Sequence, residues 1–403
     1  MDFRYDARTE ALRAELLAFM ADEVYPVEHQ FADERAETGS RPAAMARLKS
    51  EARRRGLWNL FLPDSEYGAG LTNVQYAPLA EITGWSPAVA PEALNCAPPD
   101  TGNMELLALF GTEEQRERWL FPLLEGKIRS AYCMTEPGVS SSDPANLGTA
   151  IVRDGDDFVV RGRKWWSTGL LGEECALLVV MGVSDPDAPP KSRYSIVLVP
   201  ADAPGVRKVR GLRMFGFTHG ASGGHGEVEF DDVRIPRSAL LGEEGAGTKL
   251  AQARLGPGRI HHCMRMIGMA ERALELLCSR ALRREAFGKR LADQGTTQDR
   301  IAEARVRIDQ VRLLVLRAAS VIDSEGARAA RTDISAIKVA APAVTEWVLD
   351  KAIQVYGAEG MSQDTPLAEL WVQARTMRFI DGPDEVHRMV VARRELARHR
   401  PAD

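Results

Sequence analysis

The chain has 403 residues, of which 45% are hydrophobic and 27% charged, as in an ordinary globular protein. This length suggests two or three domains. A net charge of −5 provides no bulk attraction to nucleic acid, and five cysteines without a C-x-x-C spacing argue against a disulfide framework or a zinc site.

The N-terminal stretch "MDFRYDARTEALRAELL" is polar and acidic. It resembles neither a secretory signal nor an Arg-rich transit peptide. No apolar run approaches the ~20 residues that a bilayer-spanning helix needs. We therefore expect a cytoplasmic protein without a membrane span and without a metal site.

The first third of the chain has the pattern of helices. In "ALRAELLAFMADEVYP", the apolar residues Leu12, Leu16 and Phe19 recur at helical spacing. Further along, "GTEEQ" predicts a helix start, because Thr112 can cap and Gln115 lies three residues later.

The middle of the chain has the pattern of strands. "TAIVRDGDDFVVRGRKWW" contains two β-rich runs around an Asp-Gly turn, which predicts a hairpin. "ECALLVVMGV", "RYSIVLVP" and "HGEVEFDDVRIP" predict further strands. Since no helices separate these strands, a doubly wound nucleotide-binding fold is not expected.

The last part of the chain returns to helices. Ile308, Val311 and Val315 form an apolar stripe that is broad enough to pack in a bundle. We expect three domains, with an all-helical domain over 1–130, a β domain over 131–244 and a four-helix-bundle-like domain over 245–403.

The familiar nucleotide and metal motifs are missing from the sequence. "GEEGAGTK" has the glycine spacing of a P-loop, but it ends in Gly-Thr-Lys instead of Gly-Lys-Ser/Thr. His261 and His262 are adjacent, so on a helix they point about 100° apart and do not easily share a metal. Two packed or hydrogen-bonding histidines are the simpler interpretation.

Four stretches carry the functional signal: "AYCMTEPGVSSSD", "GRKWWSTG", "RREAFGKRL" and "AIQVYGAEGMSQD". Alone, each has an ordinary structural explanation, namely a strand end, a hydrophobic corner, a basic helix and a helix end in a Gly-rich turn. In this order, together with "GPGRIHHCMR" and "DGPDEVHR", they resemble the acyl-CoA dehydrogenase family. The variants "SSSDPAN", "GRKWWS", "GPGRIHHCMR" and "DGPDEVH" resemble the subgroup that includes the dehydrogenase domains of animal family members ten and eleven, which belong to larger fused proteins.

This resemblance implies an α+β fold with an N-terminal helical domain, a middle β domain and a C-terminal helical bundle. It also implies an FAD flavoprotein that binds the cofactor between the β domain and the bundle. The residues that would contact FAD in the β domain are Tyr132, Met134, Thr135, Ser142, Trp166 and Thr168. Ser142 could instead touch the thioester of the substrate.

The resemblance assigns further FAD contacts to the C-terminal domain. Arg284 and Phe287 would reach the FAD of a neighbouring subunit, since a guanidinium matches a pyrophosphate in bidentate geometry. Gln354 and Gly357 would hold the phosphates, and Ala358 replaces a glycine that is common in the family. A shared cofactor implies a homodimer or a homotetramer.

The resemblance points to Asp381 as the catalytic base, in the position where many family members have glutamate. Some members place the glutamate elsewhere, but the matching residue here is Gly258, which cannot act as a base. A competing interpretation makes Asp381 or Gly382 a helix cap before Pro383.

Other residues near Asp381 have implied roles in binding. Gly382 and Arg259 would lie near the thioester, although Arg259 could equally be an ordinary helix-start arginine. Additional FAD contacts would come from Pro383, Asp384 and Glu385.

Three functions are open at this point. The first is an acyl-CoA dehydrogenase that converts a long or branched acyl-CoA to the trans-2-enoyl-CoA and passes electrons to electron-transfer flavoprotein. The second is a CoA-independent flavin oxidase, similar to nitroalkane oxidase, which uses an aspartate base. The third is a non-catalytic helical scaffold without FAD.

Overall fold

The structure is a computed structural model, and it describes residues 4–38, 42–217 and 223–400. The chain divides into two compact units that each combine distant parts of the sequence. The bundle unit consists of Met1–Ala18, Leu71–Ala90 and Arg259–Asp403. The sheet unit consists of Phe19–Gly70 and Pro91–Gly258. The N-terminal helices are thus shared between the two units, and the division into three domains stays a prediction.

Helices precede and follow the strands, in the predicted order. The α-helices are α1 (Ala7–Phe19), α2 (Glu28–Thr38), α3 (Ala44–Arg54), α4 (Asn73–Thr83), α5 (Ala90–Ala93), α6 (Asp100–Phe110), α7 (Glu113–Gln115), α8 (Phe121–Leu124), α9 (Gly247–Arg283), α10 (Gly295–Glu325), α11 (Arg331–Tyr356), α12 (Leu367–Thr376) and α13 (Asp384–Arg398). Within the described ranges, no helix combines the length and apolarity that crossing a bilayer requires.

The strands form one large sheet and one small hairpin. They are β1 (Arg129–Cys133), β2 (Ala150–Asp154), β3 (Asp157–Thr168), β4 (Cys175–Val183), β5 (Tyr194–Pro200), β6 (Val206–Leu212), β7 (His225–Pro236), β8 (Glu285–Ala286) and β9 (Lys289–Arg290). Seven of them make a sheet in the order β1-β4-β2-β3-β7-β6, with β5 also paired to β4. The strands contribute an apolar core, to which Phe158, Val160 and Phe230 belong.

Several local predictions are confirmed. Thr112 and Gln115 form a reciprocal capping box at the start of α7. The predicted hairpin joins β2 to β3, with Asp154 opposite Asp157 and Gly155 and Asp156 in the turn between them. In α10, Ile308, Val311 and Val315 are all buried, as expected for a stripe that faces a bundle core.

The prediction of a basic helix over "RREAFGKRL" is wrong. Helix α9 ends at Arg283, and the residues after it form the β8–β9 hairpin. Phe287 and Gly288 occupy its turn with φ values of 53° and 75°. Two successive positive φ angles match the twist of a two-residue hairpin turn, and they cannot continue a right-handed helix.

Helices α4 and α9 meet in the bundle unit without room for side chains at the contact. A Cβ atom on Gly268 would lie 1.8 Å from the Glu81 carbonyl oxygen, and one on Gly84 would lie 2.0 Å from the Arg265 carbonyl oxygen. Glycine is therefore required at both positions by backbone proximity.

We expect Gly268→Ala to lower the free energy of unfolding by about 1–3 kcal/mol or more, because the two helix backbones must separate. The measurement is chemical denaturation followed by circular dichroism. Gly295→Ala is the matched control, since a Cβ there has no atom within 4 Å. Equal stability of the two variants would contradict the close contact.

Candidate active site

Asp381 lies in the turn between α12 and α13, and the bundle unit fixes the backbone of this turn. Asp381 has a φ of 58° and Gly382 a φ of 107°, so the chain reverses through two left-handed residues. The buried Nζ of Lys338 donates to the carbonyl oxygens of Met377 at 2.7 Å and Ile380 at 2.8 Å. The lysine thereby ties α11 to the turn.

The carbonyl oxygen of Asp381 is a second attachment point. It accepts a hydrogen bond from Arg259 Nε at 3.0 Å, and His387 Nε2 lies 3.3 Å away. A Cβ on Gly382 would come within 3.1 Å of His387 Nε2. Glycine at this position therefore satisfies both the positive φ and the close approach of the histidine.

The carboxylate of Asp381 faces helix α9. Its Oδ2 lies 3.6 Å from His262 Nε2, and each of the two side chains is 12% exposed. A carboxylate that is largely shielded from water keeps fewer stabilising water contacts. This arrangement suits a general base.

The basic groups around this turn are affected by burial. Burial lowers the pKa of the Arg259 guanidinium, while the nearby Asp381 opposes the shift. Burial also lowers the pKa of Lys338, and it lowers the pKa of His387 to about 4 with help from the charges of Arg259 and Lys338. At neutral pH, His387 is therefore an uncharged hydrogen-bonding group.

The alternative role of Asp381 or Gly382 as a helix cap is wrong. Pro383 occupies the N-cap of α13 in an extended conformation, and no side chain caps this helix end. Asp384 in the first turn is buried, and its Oδ2 accepts a hydrogen bond from Arg378 Nε at 2.7 Å. This pairing favours a structural role for Asp384, while Glu385 is exposed. Their predicted contacts with FAD stay predictions.

In the sheet unit, Trp166 is presented by a bulge in β3. The pairing of β3 with β7 shifts register between Lys164 and Ser167, and Trp166 has a φ of 52°. The bulge turns the indole outward, leaving the residue 39% exposed. Its ring packs edge-on against the His225 ring at 5.4 Å between centroids.

His225 also fixes the hydroxyl of Thr168. The Thr168 Oγ1 and His225 Nδ1 atoms are 2.9 Å apart, directly across the β3–β7 pairing. Burial lowers the pKa of His225 to about 4, so this imidazole is neutral at physiological pH. The sequence analysis did not identify His225, and its position opposite Thr168 follows from a strand register that local patterns do not reveal.

A buried ion pair shapes the loop after β1. Lys164 Nζ donates to Glu136 Oε1 at 2.8 Å and to the Met134 carbonyl oxygen at 2.9 Å. The Glu136 carboxylate also accepts from the backbone N–H groups of Gly148 and Thr149. Burial acts to raise the pKa of Glu136, but Lys164 and these donors hold it below its ordinary value. Both members stand inside quoted motifs, yet their pairing was not predicted.

The remaining predicted residues of the sheet unit range from half-buried, at Tyr132 and Met134, to exposed, at Thr135 and Ser142. Tyr132 on β1 lies under the guanidinium of Arg254, whose Cζ is 4.0 Å from the ring centroid. The carbonyl oxygen of Thr135 accepts a hydrogen bond from the Trp165 N–H at 3.0 Å, which joins the two motif segments. Ser142 is exposed in the following loop, with its hydroxyl 3.2 Å from Ser140 Oγ.

The remaining predicted site residues of the bundle unit lie on exposed surface. Arg284 and Phe287 belong to the β8–β9 region, and Phe287 is 100% exposed. Gln354 is exposed near the end of α11, and Gly357 follows with a φ of 68°. Open space surrounds the position of a Cβ on Gly357, so a ligand could approach the backbone there.

His225 should make the stability of the protein sensitive to acid. Its pKa is about 4 in the folded state against an ordinary value of 6.5, so the unfolded chain binds the proton first. Stability is therefore lost as the pH falls from about 6.5 to about 4. We expect the loss across this range to be smaller in His225→Gln by about 1–3 kcal/mol.

Denaturant unfolding at several pH values measures this effect. His399→Gln is the control, because it removes an exposed imidazole instead of a buried one. A wild-type slope in His225→Gln would show that the buried imidazole is not the source.

Comparisons of the chain with family profiles and with curated proteins point to the same family. Profiles of the acyl-CoA dehydrogenase N-terminal, middle and C-terminal domains match residues 6–127, 131–233 and 245–396. "Probable acyl-CoA dehydrogenase FadE2" of Mycobacterium tuberculosis is 52% identical over 99% of this chain and 98% of its own. Mouse acyl-CoA dehydrogenase family member 10 is 49% identical over 96% of this chain, which spans 36% of that longer protein.

A solved structure supports the same assignment. The solved "Structure of a putative acyl-CoA dehydrogenase from Mycobacterium abscessus" superposes with a TM-score of 0.96 at 50% identity, covering 99% of this chain and 100% of the other. The predicted fold class, the resemblance to family members ten and eleven, and the dependence on FAD are thereby confirmed. The chain belongs to the acyl-CoA dehydrogenase family of FAD-dependent oxidoreductases.

Proposed function

We propose that this enzyme dehydrogenates the Cα–Cβ bond of an acyl-CoA thioester to give the trans-2-enoyl-CoA, with Asp381 as the base. The observation that carries the proposal is the turn at Asp381. Its backbone is held by Arg259 and Lys338, while its carboxylate is largely shielded from water. A base must be both fixed in position and poorly hydrated to remove a weakly acidic proton.

The proposed step divides the two hydrogens of the substrate. The carboxylate of Asp381 takes the Cα proton, so the C–H bond breaks and an O–H bond forms. FAD, when bound, supplies the acceptor for the hydride that leaves Cβ. The guanidinium of Arg259 places a fixed positive charge beside the turn, where it favours the ionised form of Asp381 before the reaction.

The residues of the sheet unit fit a flavin. An exposed tryptophan on a strand bulge offers a flat apolar surface, and Trp166 is held in this position by its backbone and by His225. Thr168 next to it presents a hydroxyl whose direction His225 fixes. Open backbone at Gly357 fits a phosphate, for which Gln354 nearby would add a side-chain amide.

The acyl chain, the electron acceptor and the oligomeric state are proposed from relatives and from one exposed aromatic side chain. Similarity to family members ten and eleven supports a long or branched acyl chain, and family membership supports electron-transfer flavoprotein as the acceptor. Phe287 is a fully exposed aromatic at the turn of the β8–β9 hairpin, where its ring is accessible to a second copy of the chain. This supports a homodimer or a homotetramer in which the hairpin reaches the FAD of a second copy.

The aspartate in the base position keeps a second candidate open. A flavin oxidase that acts on nitroalkanes without CoA also uses an aspartate base, as noted for the family above. Asp381 is shorter than glutamate by one carbon, and a small misplacement of a base can cost about 10²-fold in rate. A different carbon acid could therefore suit this carboxylate.

The deciding experiment mixes the FAD-loaded enzyme anaerobically with butanoyl-, octanoyl-, palmitoyl- and branched acyl-CoAs and with nitroethane. Loss of the oxidised-flavin absorbance on adding a thioester is expected. Loss only with nitroethane, followed by rapid reoxidation in air, would favour the oxidase. If no compound reduces the flavin, the proposed reaction is wrong.

A further inference from the structure

The two adjacent histidines of α9 face different surroundings. The His261 ring packs edge-on against Tyr76 at 4.9 Å between centroids, and it is 3% exposed. Its neighbour His262 instead lies with Nε2 3.6 Å from Asp381 Oδ2. His261 is thus part of the core, while His262 is part of the surroundings of the proposed base.

Two other basic groups hold the backbone of this turn. Arg259 Nε donates to the carbonyl oxygen of Asp381, and Lys338 Nζ donates to that of Ile380. These bonds fix the main chain of the turn, whereas the direction of the carboxylate also depends on the contacts that its oxygens make. The contact of His262 is with the carboxylate oxygen itself, so it bears on where the oxygen points.

We propose that His262 is a positioning residue for Asp381: its imidazole orients the carboxylate, and its charge sets how strongly the carboxylate attracts a proton. This inference rests on the proposed function. It identifies a residue for which the sequence analysis gave only a packing or hydrogen-bonding role.

The charge of His262 changes the basicity of the Asp381 carboxylate in a defined direction. A protonated imidazole next to the carboxylate stabilises the ionised form, so the carboxylate is then a weaker base. Loss of the imidazole proton removes this stabilisation, and proton abstraction becomes faster. The two groups titrate as a pair, so a kinetic pH profile reports the pair rather than either residue alone.

The other charged groups around His262 and Asp381 either keep the same charge over the pH range of the test or titrate separately from the pair. The titratable and charged groups that surround it are Arg259, His261 and Cys263 on α9, Arg331 and Lys338 on α11, and Asp384 and His387 on α13. Burial lowers the pKa of His387 to about 4 and raises that of the Cys263 thiol to about 12. Neither group therefore titrates in the range of ordinary histidines, between about pH 5 and 8.

The kinetic test uses two substitutions of His262 in the FAD-loaded enzyme. Glutamine places a non-titrating amide near the position of Nε2, whereas alanine removes the contact. In the wild type, the rate constant of flavin reduction by octanoyl-CoA should rise with pH between about 5 and 8. Both variants should lack this step. The alanine variant should also be about tenfold slower at high pH, and the glutamine variant should recover most of that rate.

The result that overturns the proposal is an unchanged pH step in His262→Gln. A merely structural histidine would lower stability in both variants and leave the step in place. His399→Gln again serves as the control, since it removes an exposed histidine at the end of α13.

A second measurement is independent of the substrate. The imidazole signals of isotope-labelled histidine are titrated by NMR, and the signal that disappears in His262→Gln identifies the residue. In Asp381→Asn this signal should titrate about one pH unit lower, because the imidazolium loses its carboxylate partner. An unchanged titration overturns the pairing. If the shift occurs but no acyl-CoA reduces the flavin, the proposed reaction fails while the pairing stands.

Discussion

Asp381→Asn should reduce the rate constant of flavin reduction by an acyl-CoA by about 10²–10⁴-fold, the usual contribution of a general base. The amide of asparagine has nearly the size of the carboxylate but cannot accept the Cα proton. Asparagine also tolerates the left-handed backbone that Asp381 adopts, so the turn should remain folded. The measurement is anaerobic stopped-flow absorbance of the FAD-loaded variant.

Two further variants test whether the loss of rate comes from the missing carboxylate at position 381. Asp364→Asn removes an exposed carboxylate of the same unit and should keep the wild-type rate. Asp381→Glu restores a base that is one carbon longer, and it should recover part of the lost rate. A wild-type rate in Asp381→Asn would mean that the base lies elsewhere and that Asp381 only shapes the turn.

Lys164→Met should lower the free energy of unfolding by about 3–5 kcal/mol, the cost of leaving one buried partner of an ion pair uncompensated. Lys164 is fully buried, and Glu136 retains its negative charge next to an apolar side chain in the variant. The same change removes the hydrogen bond to the Met134 carbonyl oxygen. The loop that carries Met134 and Thr135 should therefore hold FAD less tightly.

Thermal unfolding and FAD retention on gel filtration measure both effects. Arg161→Met is the matched control, because it removes a cation from an exposed pair with Asp232 and should cost no more than about 1 kcal/mol. Adding Glu136→Gln to Lys164→Met should restore part of the stability, since the unpaired charge is gone. Equal losses for Lys164→Met and Arg161→Met would show that the buried pair is not needed for the fold.

The order of helical and β segments could be predicted from the sequence because periodicity and caps are local. Thr112 and Gln115 illustrate this, since the capping box needs only four neighbouring residues. The β8–β9 hairpin was missed for the opposite reason. Its basic residues suit a helix, and only the positive φ angles of Phe287 and Gly288 reverse the chain.

The candidate site was predictable only where the family motifs name its residues. Asp381 and Arg259 could be proposed from the resemblance, and their backbone contact is present in the structure. The partners His225 and Lys338 could not be proposed, because they come from distant segments that strand register and helix packing bring close. Contacts of this kind depend on tertiary structure, and no spacing within a motif encodes them.

The left-handed backbone at Asp381 has a consequence for laboratory evolution. A residue with a Cβ pays a conformational cost of about 1–2 kcal/mol in this region, and glycine avoids it. A library selected for heat resistance alone should therefore enrich glycine at position 381, next to the glycine already at 382. Such a selection would yield more heat-resistant proteins that have lost the carboxylate at position 381. Any screen for improved variants must therefore measure catalytic turnover as well as thermal stability.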